Sequence, residues 1–203
     1  LEGDTRDRKI LFYKGRDLPT PISISAPMPC TGYQSSNFMG DVRQEAYRRL
    51  GITNFADRYL IIVAPQAGCI WQGRAMLGKP GEKGGILTLH DNSSSFVIVH
   101  ELGHSLGLGH SNLLQCDGGA RDGNWGRECR AVEYGGAIDV MGNVDTTSPL
   151  SIYHQWRIGL LEKEEIKTSW KSEEIELKPS TSYGSIRSVF IKDGKASYWI
   201  EYR

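Results

Sequence analysis

The 203-residue chain carries no excess charge: its 24 basic and 24 acidic side chains cancel, and no Lys/Arg-rich run appears. A protein that grips nucleic-acid phosphates or an acidic membrane surface needs such an excess, so neither partner is expected. Long hydrophobic runs are missing as well. The longest, residues 60–64, is far short of the ~20 apolar residues that span a bilayer, and membrane insertion is not expected. Cysteines are few, four in all, and none stands in a C-x-x-C pair. That pattern fits two disulfides better than a second metal site, and disulfides point to an oxidising, extracellular setting. There is no internal repeat and no low-complexity tract. The chain opens at Leu1 rather than Met and shows no secretory leader, as expected of a processed or trimmed form.

What is present is glycine (24 residues) with moderate proline (8), proportions of a loop-rich enzyme rather than a helical bundle. The length suits one well-cored domain with, at most, a small appendage. The most informative stretch runs from His100 to His110: His-Glu-Leu-Gly-His-Ser-Leu-Gly-Leu-Gly-His. On a helix, His100 and His104 fall one turn apart on the same face, where two imidazoles can hold one metal ion. Glu101 sits beside them, within reach of a water on that ion without being a ligand itself. Gly107 tolerates a left-handed backbone, so the chain can turn sharply there and bring His110 back as a third ligand. Three neutral imidazoles leave a tetrahedral Zn2+ with one open position, the arrangement of a catalytic site.

The rest of the chain reads in order as follows. Residues 9–13 form a short apolar strand, and Pro19, Pro21, Pro27 and Pro29 punctuate an extended segment leading to Cys30. Residues 41–50, closed by Gly51, have helical composition with a cap at Asp41. Residues 59–64 are a β-branched strand expected at the centre of a sheet, and 70–77 and 85–90 are further strands. Asp91, Asn92 and Ser93 form a capping cluster for the metal-bearing helix, whose Phe96, Val97, Val99 and Leu102 supply buried surface. Beyond His110 comes a glycine- and charge-rich loop bracketed by Cys116 and Cys129. Its Asp117, Asp122 and Asn124 do not have the spacing of an EF-hand. If those two cysteines pair, the short closed loop contributes on the order of 3 kcal/mol in the chain-entropy picture, and Cys30 pairs with Cys69; four cysteines allow three connectivities. Ser148-Pro149 starts a helix that runs to about Gly159. Residues 174–178, 185–191 and 196–202 alternate as strands, with Asp193-Gly194 as a hairpin turn. The expected fold is therefore α/β: a mixed twisted sheet over an active-site helix, then a C-terminal helix and a small β appendage. Residues 1–161 are the catalytic domain and 162–203 the β extension, which the natural chain is expected to continue.

The motif H-E-x-x-H-x-x-G-x-x-H matches the metzincin signature at every defined position. Within the metzincins the chain most resembles the gametolysin (autolysin) family. Pro29-Cys30-Thr31, Cys69 followed by Trp71-Gln72-Gly73, and the zinc motif with Ser111 carry the likeness. Tyr134-Gly135, Asp139-Val140-Met141-Gly142, Trp156-Arg157-Ile158-Gly159 and the closing Tyr198-Trp199-Ile200-Glu201-Tyr202-Arg203 extend it over most of the chain. The resemblance implies a metzincin-like fold and a secreted zinc endopeptidase, made as a precursor and acting on protein or peptide. It implies that Met141 is the Met-turn methionine, a soft floor beneath the imidazoles. It also implies that substrate lies along the edge strand near 70–77, with a pocket walled by 143–150. Some metzincins carry a tyrosine two residues after that methionine; here the position is Asn143. Tyr134, Tyr153 and His154 are the candidates for a comparable role.

The mechanism expected from these residues is peptide hydrolysis by a zinc-activated water. His100, His104 and His110 hold the metal, and Glu101 acts as general base and then returns a proton to the leaving amine. A monomer is expected. Two alternatives belong to other classes: a zinc-containing binding or adhesion module without peptidase activity, and a zinc amidase acting on a non-backbone amide. An intact Glu101 argues against the first, because a structural zinc takes four protein ligands and has no use for a base.

Overall fold

The computed structural model describes Gly15 and residues 35–54, 56–65, 69–116, 128–143 and 148–203. They form a mixed α/β protein of small sheets and few helices, in two compact units that divide between Gly109 and His110. The strand expected at 9–13, the proline segment and Cys30 lie outside the described residues.

In the first unit, helix α1 spans Ser35–Leu50 and begins six residues before the expected Asp41. Its buried residues explain the difference: Met39, Val42, Ala46 and Tyr47 make one stripe, and that stripe starts ahead of Asp41. The helix closes at Gly51 as expected, with the Ile52 amide returning to the Tyr47 carbonyl at 2.9 Å. Strands β1 (Tyr59–Ala64), β2 (Gly73–Ala75) and β3 (Gly85–His90) form a sheet in the order β1-β3-β2. β1 runs parallel to β3, from Tyr59↔Gly85 to Ala64↔His90, and β2 runs antiparallel to it. The central strand is thus β3, buried from Ile86 to His90, and β1 is at the edge of the described sheet. β2 is much shorter than residues 70–77. Trp71 leaves the strand line to stack on His90, with ring centroids 4.4 Å apart, and Gly78 turns to meet the end of the next helix.

Helix α2 (Ser95–Ser105) packs on this sheet. Leu87 and Leu89 meet Val97, and Ala75, Phe96 and Leu102 close around them. Burying each such aliphatic side chain contributes about 2 kcal/mol. The N-cap is Ser94, one residue beyond the expected cluster. Ser93 instead ties the preceding turn, donating to the Gln72 carbonyl at 2.7 Å and accepting from the His90 amide at 3.0 Å.

In the second unit, β4 (Leu113–Cys116) and β5 (Cys129–Val132) form an antiparallel ladder where only a loop was expected. Cys116 and Cys129 are directly opposite and joined by a disulfide. Cys69, in the first unit, is also disulfide-bonded. Asp117, Asp122 and Asn124 lie outside the described residues. Helix α3 (Ile152–Arg157) starts at Ser151 rather than at Ser148-Pro149. Its first amides explain the shift: Ser151 donates to Asp139 at 2.8 Å and Ile152 to Glu201 at 2.7 Å, so two carboxylates fix where the helix begins.

The last sheet has the order β6-β7-β8, with β6 (Ile166–Thr168) parallel to β7 (Ser188–Asp193) and β8 (Ala196–Glu201) antiparallel to it. Residues 174–178 are not a strand; Lys178 makes one backbone bond to Ile186, and Pro179 bridges Tyr202. Asp193 pairs with Ala196, so the hairpin turns at Gly194-Lys195 rather than Asp193-Gly194. Fully buried Arg187 joins this sheet to α3. Its guanidinium bonds both oxygens of Glu165, the Gln155 side chain and the carbonyls of Leu160 and Ser180. No helix among the described residues is long and apolar enough to cross a membrane.

Candidate metal centre

Helix α2 and its terminating turn build the site. His100 is buried and His104 half-buried, with ring centroids 4.8 Å apart and nearly perpendicular. The helix ends in a Schellman arrangement. The Gly107 amide donates to the His104 carbonyl at 2.9 Å, and the Leu108 amide to the Gly103 carbonyl at 3.0 Å. Gly107 has φ +91°, and a Cβ there would lie 2.5 Å from the Pro80 nitrogen. Both the backbone angle and the crossing loop therefore require glycine. The turn also orients a candidate ligand: it directs the Leu108 carbonyl back to His104, whose Nδ1 donates to it at 2.8 Å. With Nδ1 carrying the proton, Nε2 is the nitrogen that presents a lone pair.

Two residues past Leu108, the chain delivers His110. One ligand atom from each of His100, His104 and His110 lies within 4.8 Å of the other two, close enough for all three to hold a metal ion. The His110 Nδ1 donates to Glu133 Oε1 at 2.8 Å, so here again Nε2 presents the lone pair. A donor set of three imidazoles, two of them with a hydrogen-bonded outer nitrogen, suits zinc and is compatible with other first-row metals.

Glu101 is buried and lies outside the histidine set. Burial pushes its carboxyl up to about 7, against the opposing pull of the Arg74 guanidinium. Its position is set partly by Gly73 on β2. A Cβ at Gly73 would lie 2.7 Å from both Glu101 Cγ and Val97 Cγ1 and 3.0 Å from Glu101 Oε1. The missing side chain at Gly73 is what lets β2 approach the helix at Glu101.

Met141 is fully buried in a tight turn in which the Gly142 amide donates to the Asp139 carbonyl at 2.8 Å. The Met141 carbonyl accepts from the Ser111 amide at 2.8 Å, which ties the turn to the residue after His110. Asp139 is the hub of this region. Its Oδ1 accepts from the Met141 amide, and its Oδ2 from the Ser151 amide and His154 Nδ1 at 2.8 and 2.7 Å. Burial alone would raise the Asp139 carboxyl, but these hydrogen bonds outweigh it and hold it at about 2.

Of the three candidates for an assisting side chain, Tyr134 is set apart. Its ring lies on His110, with centroids 3.7 Å apart and planes at 34°. His154 is committed to Asp139, and Tyr153 belongs to an aromatic group with Trp156 and Trp199. Asn143 is exposed, its amide donating to the Tyr134 carbonyl at 2.9 Å. Of the wall expected at 143–150, residues 144–147 lie outside the described residues. Glu133, Gly73 and Asp139 were not among the expected functional residues. The one sequence signal for Glu133 is the cysteine pairing: carrying the Cys116↔Cys129 register outward sets Glu133 opposite Asn112, close to His110.

Fold and site together define a class: a mixed α/β protein whose capped helix and turn bring three histidines into a set able to hold a metal ion. Comparison with known proteins adds no assignment, for no family model, no curated protein and no solved structure matches the chain.

Proposed function

We propose that the chain is a secreted zinc-dependent endopeptidase of metzincin type, with a metzincin-like catalytic domain. One observation carries the proposal: one ligand atom from each of three histidines lies within 4.8 Å of the other two, and the residue that follows His100 is a buried carboxyl outside that set. The bonds at Nδ1 of His104 and His110 support it, because they hold both rings in the tautomer that ligates through Nε2. A zinc ion in this set would supply Lewis acidity at a scissile carbonyl and lower the pKa of a water to about 7.

The chain's own residues account for the proton movements. Glu101, its carboxyl raised to about 7, is matched to taking a proton from the attacking water near neutral pH and returning it to the leaving amine. Gly73 keeps β2 close against it. β2 is an edge strand of the described sheet, and an extended peptide can add to such an edge by main-chain hydrogen bonds. The disulfides at Cys69 and Cys116–Cys129 support an extracellular setting.

The test is cleavage of casein or gelatin alongside metal analysis. Wild type is expected to contain zinc, to lose activity on chelation and to regain it with zinc. Glu101→Ala is expected to keep the metal and lose at least a hundredfold in turnover, the range of general-base removal being roughly 10²–10⁴-fold. Bound zinc with no cleavage of any polypeptide would favour an adhesion module. Release of cell-wall peptides without new polypeptide termini would favour an amidase.

A further inference from the structure

We infer that the Glu133–Tyr134 turn is a clamp on His110 that sets how tightly the centre holds its metal. The inference rests on the metal-site reading proposed above. Two independent features of adjacent residues converge on the same imidazole. Glu133 accepts the Nδ1 proton of His110 at 2.8 Å, although the Glu133 side chain is 69% exposed. A contact that open adds little to stability, so its consequence is to fix the tautomer and heading of the ring.

Tyr134 is the stronger indicator. It is one of two non-glycine residues with positive φ among those described, at +60°, a conformation that L side chains avoid on steric grounds. Gly135 and Gly136 follow immediately, so the turn has glycines at hand, yet the left-handed position carries a large aromatic. Its backbone is held on both sides: the amide donates to Asn112 Oδ1 at 3.0 Å, and the carbonyl accepts from the Asn143 amide at 2.9 Å. That strained backbone directs the ring onto His110, centroid to centroid at 3.7 Å. Strain retained where a glycine would relieve it points to a use for the side chain. Here the use is to confine the third ligand, which lies on the turn past the helix and lacks the helical backbone that fixes His100 and His104.

The clamp is tested without reference to activity, by competing zinc away from the full-length protein with a chromophoric chelator and by melting the metal-free protein. Tyr134→Gly removes the ring and relieves the backbone, so the metal-free melting temperature should hold or rise while zinc affinity falls roughly tenfold or more. Glu133→Ala should leave the melting temperature unchanged and weaken zinc by roughly ten- to a hundredfold, with Glu133→Gln, which keeps an acceptor oxygen, in between. The visible spectrum of the cobalt-substituted Tyr134→Gly protein should differ from wild type. Unchanged zinc affinity in Glu133→Ala and Tyr134→Gly would overturn the clamp. So would an affinity loss matched by an equal loss of metal-free stability, because that is the mark of a purely structural role. A wild type that takes up no zinc would overturn the metal reading and the clamp with it. Zinc binding that depends on Glu133 and Tyr134 in a protein that cleaves no peptide would overturn the peptidase reading and support the clamp.

Discussion

Gly107→Ala is the substitution that most directly tests how the centre is assembled. Two costs fall on one methyl group. The first is conformational: at φ +91° an alanine is held outside the region its Cβ allows, at a cost of about 1–2 kcal/mol. The second is steric. The new Cβ would lie 2.5 Å from the Pro80 nitrogen and 2.7 Å from the Lys79 carbonyl carbon, and backbone cannot move aside as a side-chain tip can. Forcing a group into such a contact costs about 1–3 kcal/mol. A total near 3 kcal/mol corresponds to a fall in melting temperature of about 6–12 °C for a chain of this size. The functional cost follows from the same movement, since Leu108 cannot keep its carbonyl on His104 Nδ1 if the turn is displaced. On the zinc reading proposed above, affinity for zinc should fall roughly tenfold or more. Gly107→Asn separates the two costs. Asparagine tolerates the left-handed region but still carries a Cβ, so it should regain about 1 kcal/mol and no more. Thermal melts of the three proteins, with zinc competition against a chelator, give the answer. An alanine variant within about 0.5 kcal/mol of wild type, with unchanged zinc affinity, would refute the reasoning, since surface changes of no consequence fall in that range. Full recovery in the asparagine variant would refute the steric half alone.

What was legible in the sequence divides along the distance over which each feature is specified. β1 and β3 coincide with the expected segments because short runs dominated by β-branched and aliphatic residues, five of six in β1 and four of six in β3, have few other stable states between turn signals. The histidine spacing is equally local, one helical turn and one glycine-permitted reversal, so His100, His104 and His110 are brought together as expected. The misreadings share a cause. Residues 174–178 alternate apolar and polar, and the structure does bury Ile175 and Leu177 more than their neighbours. Yet the segment joins no ladder, because periodicity reports which side faces water and says nothing of hydrogen-bond partners. β6 is three residues long and exists through parallel pairing with β7, a partner no local pattern announces. The start of α3 differs from the expected Ser148-Pro149 for the same reason: the carboxylates that select Ser151 come from Asp139 and Glu201. In the site, the contacts that refine the geometry are the distant ones. Glu133 returns to His110 only through the disulfide-closed hairpin, and Gly73 meets Glu101 only because β2 and α2 share a sheet face.

Two further outcomes follow from these distant contacts. On the peptidase reading proposed above, Gly73→Ala should lower kcat more than zinc content, because its Cβ would lie 2.7 Å from both Glu101 Cγ and Val97 Cγ1, and its three nearest neighbours are atoms of Glu101 and Val97; activity equal to wild type in a zinc-loaded variant would show that Glu101 tolerates the shift. The second concerns acid. Asp139 ionises at about 2 in the folded chain against an ordinary 3.8, because hydrogen bonds from His154, Met141 and Ser151 outweigh its burial. A depressed carboxyl stabilises the fold above its unfolded pKa, and that contribution is lost as pH falls through the folded value. The difference is worth about 2 kcal/mol, at 1.36 kcal/mol per unit. Denaturant unfolding of metal-free wild type and Asp139→Asn should therefore show a gap that is full at pH 6 and narrows by about 2 kcal/mol as pH is lowered to about 2. The asparagine variant has no proton to gain at that position, and comparing the two cancels the acid response of the groups that do not contact Asp139, which leaves His154 as its one titratable hydrogen-bond partner. A gap that stays constant across that window would mean that the Asp139 carboxylate is not what ties the methionine turn to α3.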